Sequence, residues 1–147
     1  MALFQARAEC DAAPARVWAE LLDWEGSSGW IEPPTTVEVI GSQRIGIGAR
    51  LRAVTTIARV LRLVDYMSVT DWTDEREIRV RHVGWMLKGD GIFRVEPTST
   101  GSRFTWIEDL PLPLGVVGEL LGRLFRPVFE RYLRRSCENL TRRASAR

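Results

Sequence analysis

Between Thr35 and Asp109 the chain passes from one strand-like run to the next with only turn signals in between. Thr35 to Ile40 is β-branched and stops at Gly41-Ser42. Gly46 and Gly48 precede Ala49 to Ile57, and Val60 to Val69 follows. Asp71 and Asp74 bracket a turn, and Glu77 to Val83 alternates apolar with polar. Lys88-Gly89-Asp90-Gly91 signals a turn before Gly91 to Val95. Pro97 to Gly101 is a loop, and Ser102 to Asp109 is the last run. Parallel strands need crossover connections of a dozen or more residues, usually helical, and none fits here. The six runs therefore read as an antiparallel meander.

The flanks complete the pattern. In residues 3 to 10, Phe4, Ala6, Ala8 and Cys10 alternate with Gln5, Arg7 and Glu9, which predicts a half-buried strand. Pro14 suits the first turn of a helix, where its missing N–H costs nothing. Val17, Trp18, Leu21 and Leu22 follow at helical spacing, and the helix should end near Asp23 to Gly26. Ser27-Ser28-Gly29 reads as a break, Trp30-Ile31 as the start of a second short turn, and Pro33-Pro34 as a stop. After the stiff connector Leu110-Pro111-Leu112-Pro113, Val116 to Arg143 reads as one amphipathic helix of about 40 Å. Its apolar positions, among them Val117, Leu120, Leu121, Leu124, Phe125, Val128, Phe129, Leu133, Cys137 and Leu140, recur every three or four residues. Pro127 removes one of its backbone hydrogen bonds and predicts a kink.

A chain of 147 residues suits one domain over 1–147, large enough to bury a core without a metal or disulfide staple. The cysteines, Cys10 and Cys137, sit at opposite ends, which fits reduced thiols and a cytoplasmic setting. With His82 as the single histidine, a multi-histidine metal centre is excluded, and no metal or cofactor is expected. Gly46-Ile47-Gly48 lacks the rest of a phosphate loop, and aromatic and basic residues are not interleaved as in a nucleic-acid platform.

The net charge of +2 conceals an asymmetry: Glu119 to Arg147 holds eight arginines against three glutamates. A solvated helix face is the plain reading of that tail. Peripheral contact with a membrane surface, an acidic partner or a second copy of the chain is the other, so both a monomer and a homodimer stay open.

One strand, two short helices, a six-strand meander and a long last helix resemble the helix-grip fold. Five stretches carry a resemblance to the SRPBCC (START-like) superfamily, in its polyketide cyclase/dehydrase and coenzyme Q-binding branch. They are Ala12-Ala13-Pro14 through Val17-Trp18, Gly46 through Arg50, Gly89-Asp90-Gly91 through Glu96-Pro97, Gly101 through Trp106, and Leu124 through Leu140. The resemblance implies an α+β fold like that of the birch-pollen allergen. A curved antiparallel sheet of about seven strands would wrap around the long C-terminal helix. It also implies a mainly apolar cavity that binds a small hydrophobic molecule such as a lipid, quinone or polyketide. The fold hosts both carriers and enzymes, so it does not fix the chemistry.

Strand parity nominates the polar residues of such a cavity. Ile78, Val80 and His82 share one side of their strand, and Arg79 and Arg81 the other, which turns His82 inward as an anchor or acid/base. Phe104, Trp106 and Glu108 likewise share a side. Glu108 would then be a pocket carboxylate able to abstract a proton beside a carbonyl, unless the opposite parity brings Asp109 inward. Leu61, Leu63, Met67 and Val69 make the more apolar side of their strand. Arg62 and Tyr66 should therefore point outward and Asp65 inward, barring a bulge. The resemblance implies that a cyclase would hold its ketone chain with pocket Arg and Tyr side chains, so outward-facing Arg62 and Tyr66 weaken the cyclase reading. Trp18 reads as core, and Trp24 and Trp30 lie near the expected pocket mouth. The expected ligand-binding set is Trp30, Met67, His82, Trp85, Phe93, Trp106, Leu121, Phe125 and Val128. The loop after Trp24 and the connector from Leu110 to Gly115 would gate access.

Three functions are in view: a carrier or chaperone for a hydrophobic ligand, a cyclase/dehydrase acting on a bound ketone through His82 or Glu108, and an interaction module using the arginine-rich helix.

Overall fold

The strand-like runs pair in the order in which they occur. A computed structural model describes residues 2–85, 87–111 and 114–146. Its elements are β1 (Ala2–Cys10), α1 (Pro14–Leu22), a short 3-10 helix (Trp24–Gly29), β2 (Thr35–Ile40), β3 (Arg50–Ile57), β4 (Leu61–Thr73), β5 (Glu77–His82), β6 (Gly89–Pro97), β7 (Ser102–Leu110) and α2 (Gly115–Ala146). The strand order is β1-β7-β6-β5-β4-β3-β2, with every neighbouring pair antiparallel. The meander from β2 to β7 is therefore unbroken, and β1 closes beside the last strand. This is the expected α+β helix-grip architecture, a curved seven-stranded antiparallel sheet with a long C-terminal helix.

Alternation sorts the side chains. Leu51 and Ala53 of β3, Met67 and Val69 of β4, Ile78 and Val80 of β5, Phe93 and Val95 of β6, and Phe104 of β7 are buried in one core. Against them α1 brings Val17, Trp18 and Leu21, and α2 brings Cys137, Leu140 and Ala144. The helical spacing of three and four residues puts these α2 side chains on one stripe. A smaller cluster joins Ala2, Phe4 and Leu110 to Leu133 of α2, with Phe129 packed against it.

Three local expectations change. Ser27-Ser28-Gly29 is no break but the end of the 3-10 helix, because the N–H groups of Trp30 and Ile31 turn back to the Ser27 carbonyl at 3.0 and 2.9 Å. β4 runs past Val69 to Thr73. A bulge between Val69 and Asp71 lets Asp71 pair with Arg79, and the turn shrinks to residues 74–76, with Glu75 at φ 58°. β6 begins at Gly89, inside the stretch read as a turn. The helix expected from Val116 to Arg143 extends from Gly115 to Ala146, through Pro127. Both cysteines are free. Among the described residues no helix is long and apolar enough to cross a membrane.

Candidate functional site

α2 is pinned to the segment that follows α1 rather than pressed along the whole sheet. The Arg143 guanidinium donates to the Gly26 carbonyl at 2.9 Å, Asn139 Nδ2 to the Trp30 carbonyl at 3.2 Å, and the Glu32 N–H to Ser136 Oγ at 2.9 Å. These bonds hold residues 24–32 over one end of the sheet as a roof. Below it, between the sheet and α2, lies a cavity of about 490 Å³.

Its wall is mostly apolar. Leu51 and Ala53 come from β3, Leu63 and Met67 from β4, Phe93 from β6, Trp106 from β7, and Trp24 and Trp30 from the roof. Phe125, Val128, Phe129 and Leu133 close it from α2. Phe125 and Val128 are 60% and 51% exposed, which marks this side as the mouth. Trp30, 2% exposed, meets Phe104 and Trp106 edge-on at 6.1 and 5.9 Å, and Phe93 lies 5.2 Å from Trp106.

Inside this apolar wall three ionisable side chains, Asp65, His82 and Glu108, meet in one cluster. His82 Nδ1 lies 2.7 Å from Asp65 Oδ2, and His82 Nε2 lies 2.9 Å from Glu108 Oε2. The Trp106 indole N–H donates to Glu108 Oε1 at 2.7 Å. His82 and Glu108 stand on β5 and β7 with β6 between them. His82 is paired with Gly89 and Glu108 with Gly91. Their strands lie two strand spacings apart, roughly 9–10 Å, and the two residues are offset by two positions along β6. No side chain rises from β6 at either glycine, so the imidazole and carboxylate meet over a bare strip. Asp65 reaches the ring from β4, one step diagonal to the Met67–His82 pair.

Burial on its own would push the His82 imidazole down. The hydrogen bonds to Asp65 and Glu108, together with the attraction of both carboxylates, outweigh it and hold the ring at about 10 instead of 6.5. At neutral pH the ring is an imidazolium with both N–H groups committed. It orients two carboxylates and has no free nitrogen with which to take a proton.

Over residues 1–145 the sequence matches the profile described as polyketide cyclase/dehydrase and lipid transport. The chain belongs to that family. No curated protein matches its sequence. Like the family's other members of known structure, it shares its fold with solved structures of low sequence identity. A protein from Thermus thermophilus superposes with a TM-score of 0.81 at 21% identity, covering 99% of this chain and 98% of that one. A protein from Arthrobacter aurescens gives 0.73 at 18% identity, with 99% and 87% covered. One from Rhodobacter sphaeroides gives 0.73 at 14% identity, with 98% and 92% covered. Members of this family typically bind hydrophobic ligands, and the apolar cavity agrees with that habit.

Of the residues nominated from the sequence, Trp30, Met67, His82, Phe93, Trp106, Glu108, Phe125 and Val128 all stand in the cavity wall. Trp85 does not. It follows β5 beyond the end of the sheet pairing and is 85% exposed. Leu121 also falls outside the wall, one turn of α2 beyond Phe125 and 44% exposed. Tyr66 points outward and Asp65 inward, as parity requires. Sequence reasoning gives His82 no partner. The inward parity of Asp65 and Glu108 is the available signal, but register is needed to bring them to one ring. Thr35 and Thr55, joined through their hydroxyls at 2.9 Å, are further wall residues that no pattern singles out, and Tyr132, one of the apolar positions of the last helix, stands with them. The segment after Trp24, expected at the entrance, lines the cavity as its roof. Of the connector from Leu110 to Gly115, Leu112 and Pro113 lie outside the described residues.

Proposed function

We propose that this protein binds a small hydrophobic molecule between the curved sheet and α2 and holds it as a carrier or chaperone. The cavity of about 490 Å³, apolar in its wall and open beside Phe125 and Val128, is the observation that carries this reading. Concave apolar spaces of a few hundred Å³ with a few convergent polar groups are what ligand sites are made of. Asp65, His82 and Glu108 supply those groups, and the aromatic faces of Trp30, Phe93 and Trp106 suit flat or isoprenoid ligands. Mass spectrometry of the purified protein, native and then after denaturation and solvent extraction, tests the reading. A reproducible co-purified small molecule supports it. If none is found, titration with apolar probes such as an alkyl alcohol or a quinone decides, and no saturable binding of any would overturn the reading.

The same three ionisable groups also favour a second reading, in which a bound ketone is cyclised or dehydrated. Clustered titratable groups in an apolar cavity are a recognised mark of catalysis. Because both nitrogens of His82 are occupied, the proton acceptor in this reading is a carboxylate, Glu108 or Asp65, with His82 as its positioning residue. A Glu108→Gln variant that keeps ligand affinity and loses turnover would favour the enzyme over the carrier.

A further inference from the structure

The charged residues of the cavity wall are unevenly balanced. Among its described residues there is no lysine and no arginine, and the ionisable carboxylates are Glu32, Asp65 and Glu108. Glu32 sits at the rim, 3.9 Å from Arg135. In the interior two carboxylates face one imidazolium, whose two N–H groups are both already donated. One negative charge is left in excess. Asp65 Oδ1 is buried without a hydrogen-bond partner, as is the hydroxyl of Ser27 in the roof. Trp30 Nε1 is an unpartnered donor in the same wall, but a neutral indole dipole does not offset a charge.

An acid entering this space would bury a second uncompensated negative charge, which is costly where water is excluded. A hydrocarbon would leave the existing excess unanswered. A group that brings both positive charge and N–H donors answers both defects. We infer that the cavity selects apolar molecules whose polar end is an amine, seated against Asp65 and Glu108 with the apolar part directed toward Phe125 and Val128. This rests on the proposed function and names the ligand class that the same cavity would take.

The test compares three ligands with one tail: decylamine, decanol and decanoate. Each is titrated below its micelle concentration at pH 7 and about 0.15 M salt, where long-range charge is screened beyond roughly 8 Å. Calorimetry or tryptophan fluorescence reads the binding. The protein carries a net charge of +2, so its overall field would favour decanoate. The expected result is nevertheless that decylamine binds at least about tenfold tighter than decanoate, with decanol between them. In Glu108→Gln, and separately in Asp65→Asn, the amine-to-acid ratio should shrink to within about threefold. Decanoate binding as tightly as decylamine to the wild-type protein overturns the inference while leaving the binding function standing. So does a ratio that neither variant changes. Failure of all three ligands to bind overturns the inference, and the binding function falls with it when a quinone probe also fails to bind.

Discussion

Gly91 lies directly opposite Glu108 across the β6–β7 pairing, and a Cβ placed on it would stand 3.2 and 3.3 Å from the two carboxylate oxygens and 3.1 Å from Val80 Cγ2. The carboxylate has little freedom to yield, since one oxygen is held by the Trp106 indole and the other by His82. Gly91→Ala should therefore destabilise the protein by about 1–2 kcal/mol, despite the better strand propensity of alanine. In a Glu108→Ala background the two carboxylate contacts are gone and only the Val80 contact remains, so the loss should become clearly smaller. Urea denaturation of the four proteins measures this coupling. Equal effects of the glycine substitution in both backgrounds would contradict it.

A single histidine makes the charge state of the cluster directly readable. The His82 ring titrates at about 10 in the fold and near its ordinary value of 6.5 when unfolded. Its contribution to stability is thus complete below about pH 6.5 and is lost as the pH rises through about 10. Over that window the loss should be on the order of a few kcal/mol. Burial also raises the Cys137 thiol to about 12, so Cys137 lowers stability as well once the pH exceeds its unfolded value of 9. The comparison that isolates the histidine is wild type against His82→Gln, each unfolded by urea from pH 6 to pH 10. The difference in stability between them should narrow steadily toward the alkaline end. Independently, the imidazole NMR signals should stay those of the protonated ring through pH 8. A neutral ring at pH 8 would refute the account.

Most of the architecture is legible in the sequence because it depends on local periodicity and on order along the chain. The alternation of Ile78, Val80 and His82 is enough to turn His82 inward, and the spacing of Leu133, Cys137 and Leu140 is enough to set one helix stripe. The site is less legible, because its geometry depends on register. Nothing in residues 61–69 says that Asp65 will stand diagonal to His82, since that follows from the Met67–His82 pairing two strands into the meander. Gly89 and Gly91 mislead for a related reason. Glycine marks turns in sequence, and here it clears a strip of strand so that groups on β5 and β7 can meet. Only its residue type nominates Trp85, and an aromatic beyond the last paired residue of its strand has no sheet to face it inward.

Ala53 offers a way to close the cavity without touching the ionisable cluster's own side chains. It stands on β3 opposite Asp65 and lines the cavity with a single methyl group. In Ala53→Phe the ring has open space in front of it instead of packed atoms, so the usual cost of overpacking is largely avoided. Stability should change by no more than about 1 kcal/mol, while affinity for an apolar ligand such as decanol should fall by at least about tenfold. Thermal unfolding and ligand titration of the same sample check both halves. Undiminished affinity would place the ligand elsewhere.

The roof should open when its bond to α2 is cut. Arg143 donates to the Gly26 carbonyl at 2.9 Å and lies 3.4 Å from the buried carboxylate of Glu20, so one guanidinium both ties down the 3-10 helix and neutralises a charge. Arg143→Met keeps most of the stem and removes both functions. The expected cost is about 2–3 kcal/mol, from the lost charged hydrogen bond and the weakened neutralisation of Glu20. Adding Glu20→Gln should recover part of that loss, because the carboxylate that Arg143 neutralises is then gone. Trp24, Ser27 and Trp30 all line the cavity from this segment. Amide exchange over residues 24–32 should accordingly quicken in Arg143→Met, and ligand affinity should weaken with it. Native-state hydrogen exchange with and without ligand separates the two effects. If the exchange of residues 24–32 accelerates no more than that of β3 and β4, Arg143 stabilises the molecule as a whole and does not hold the roof.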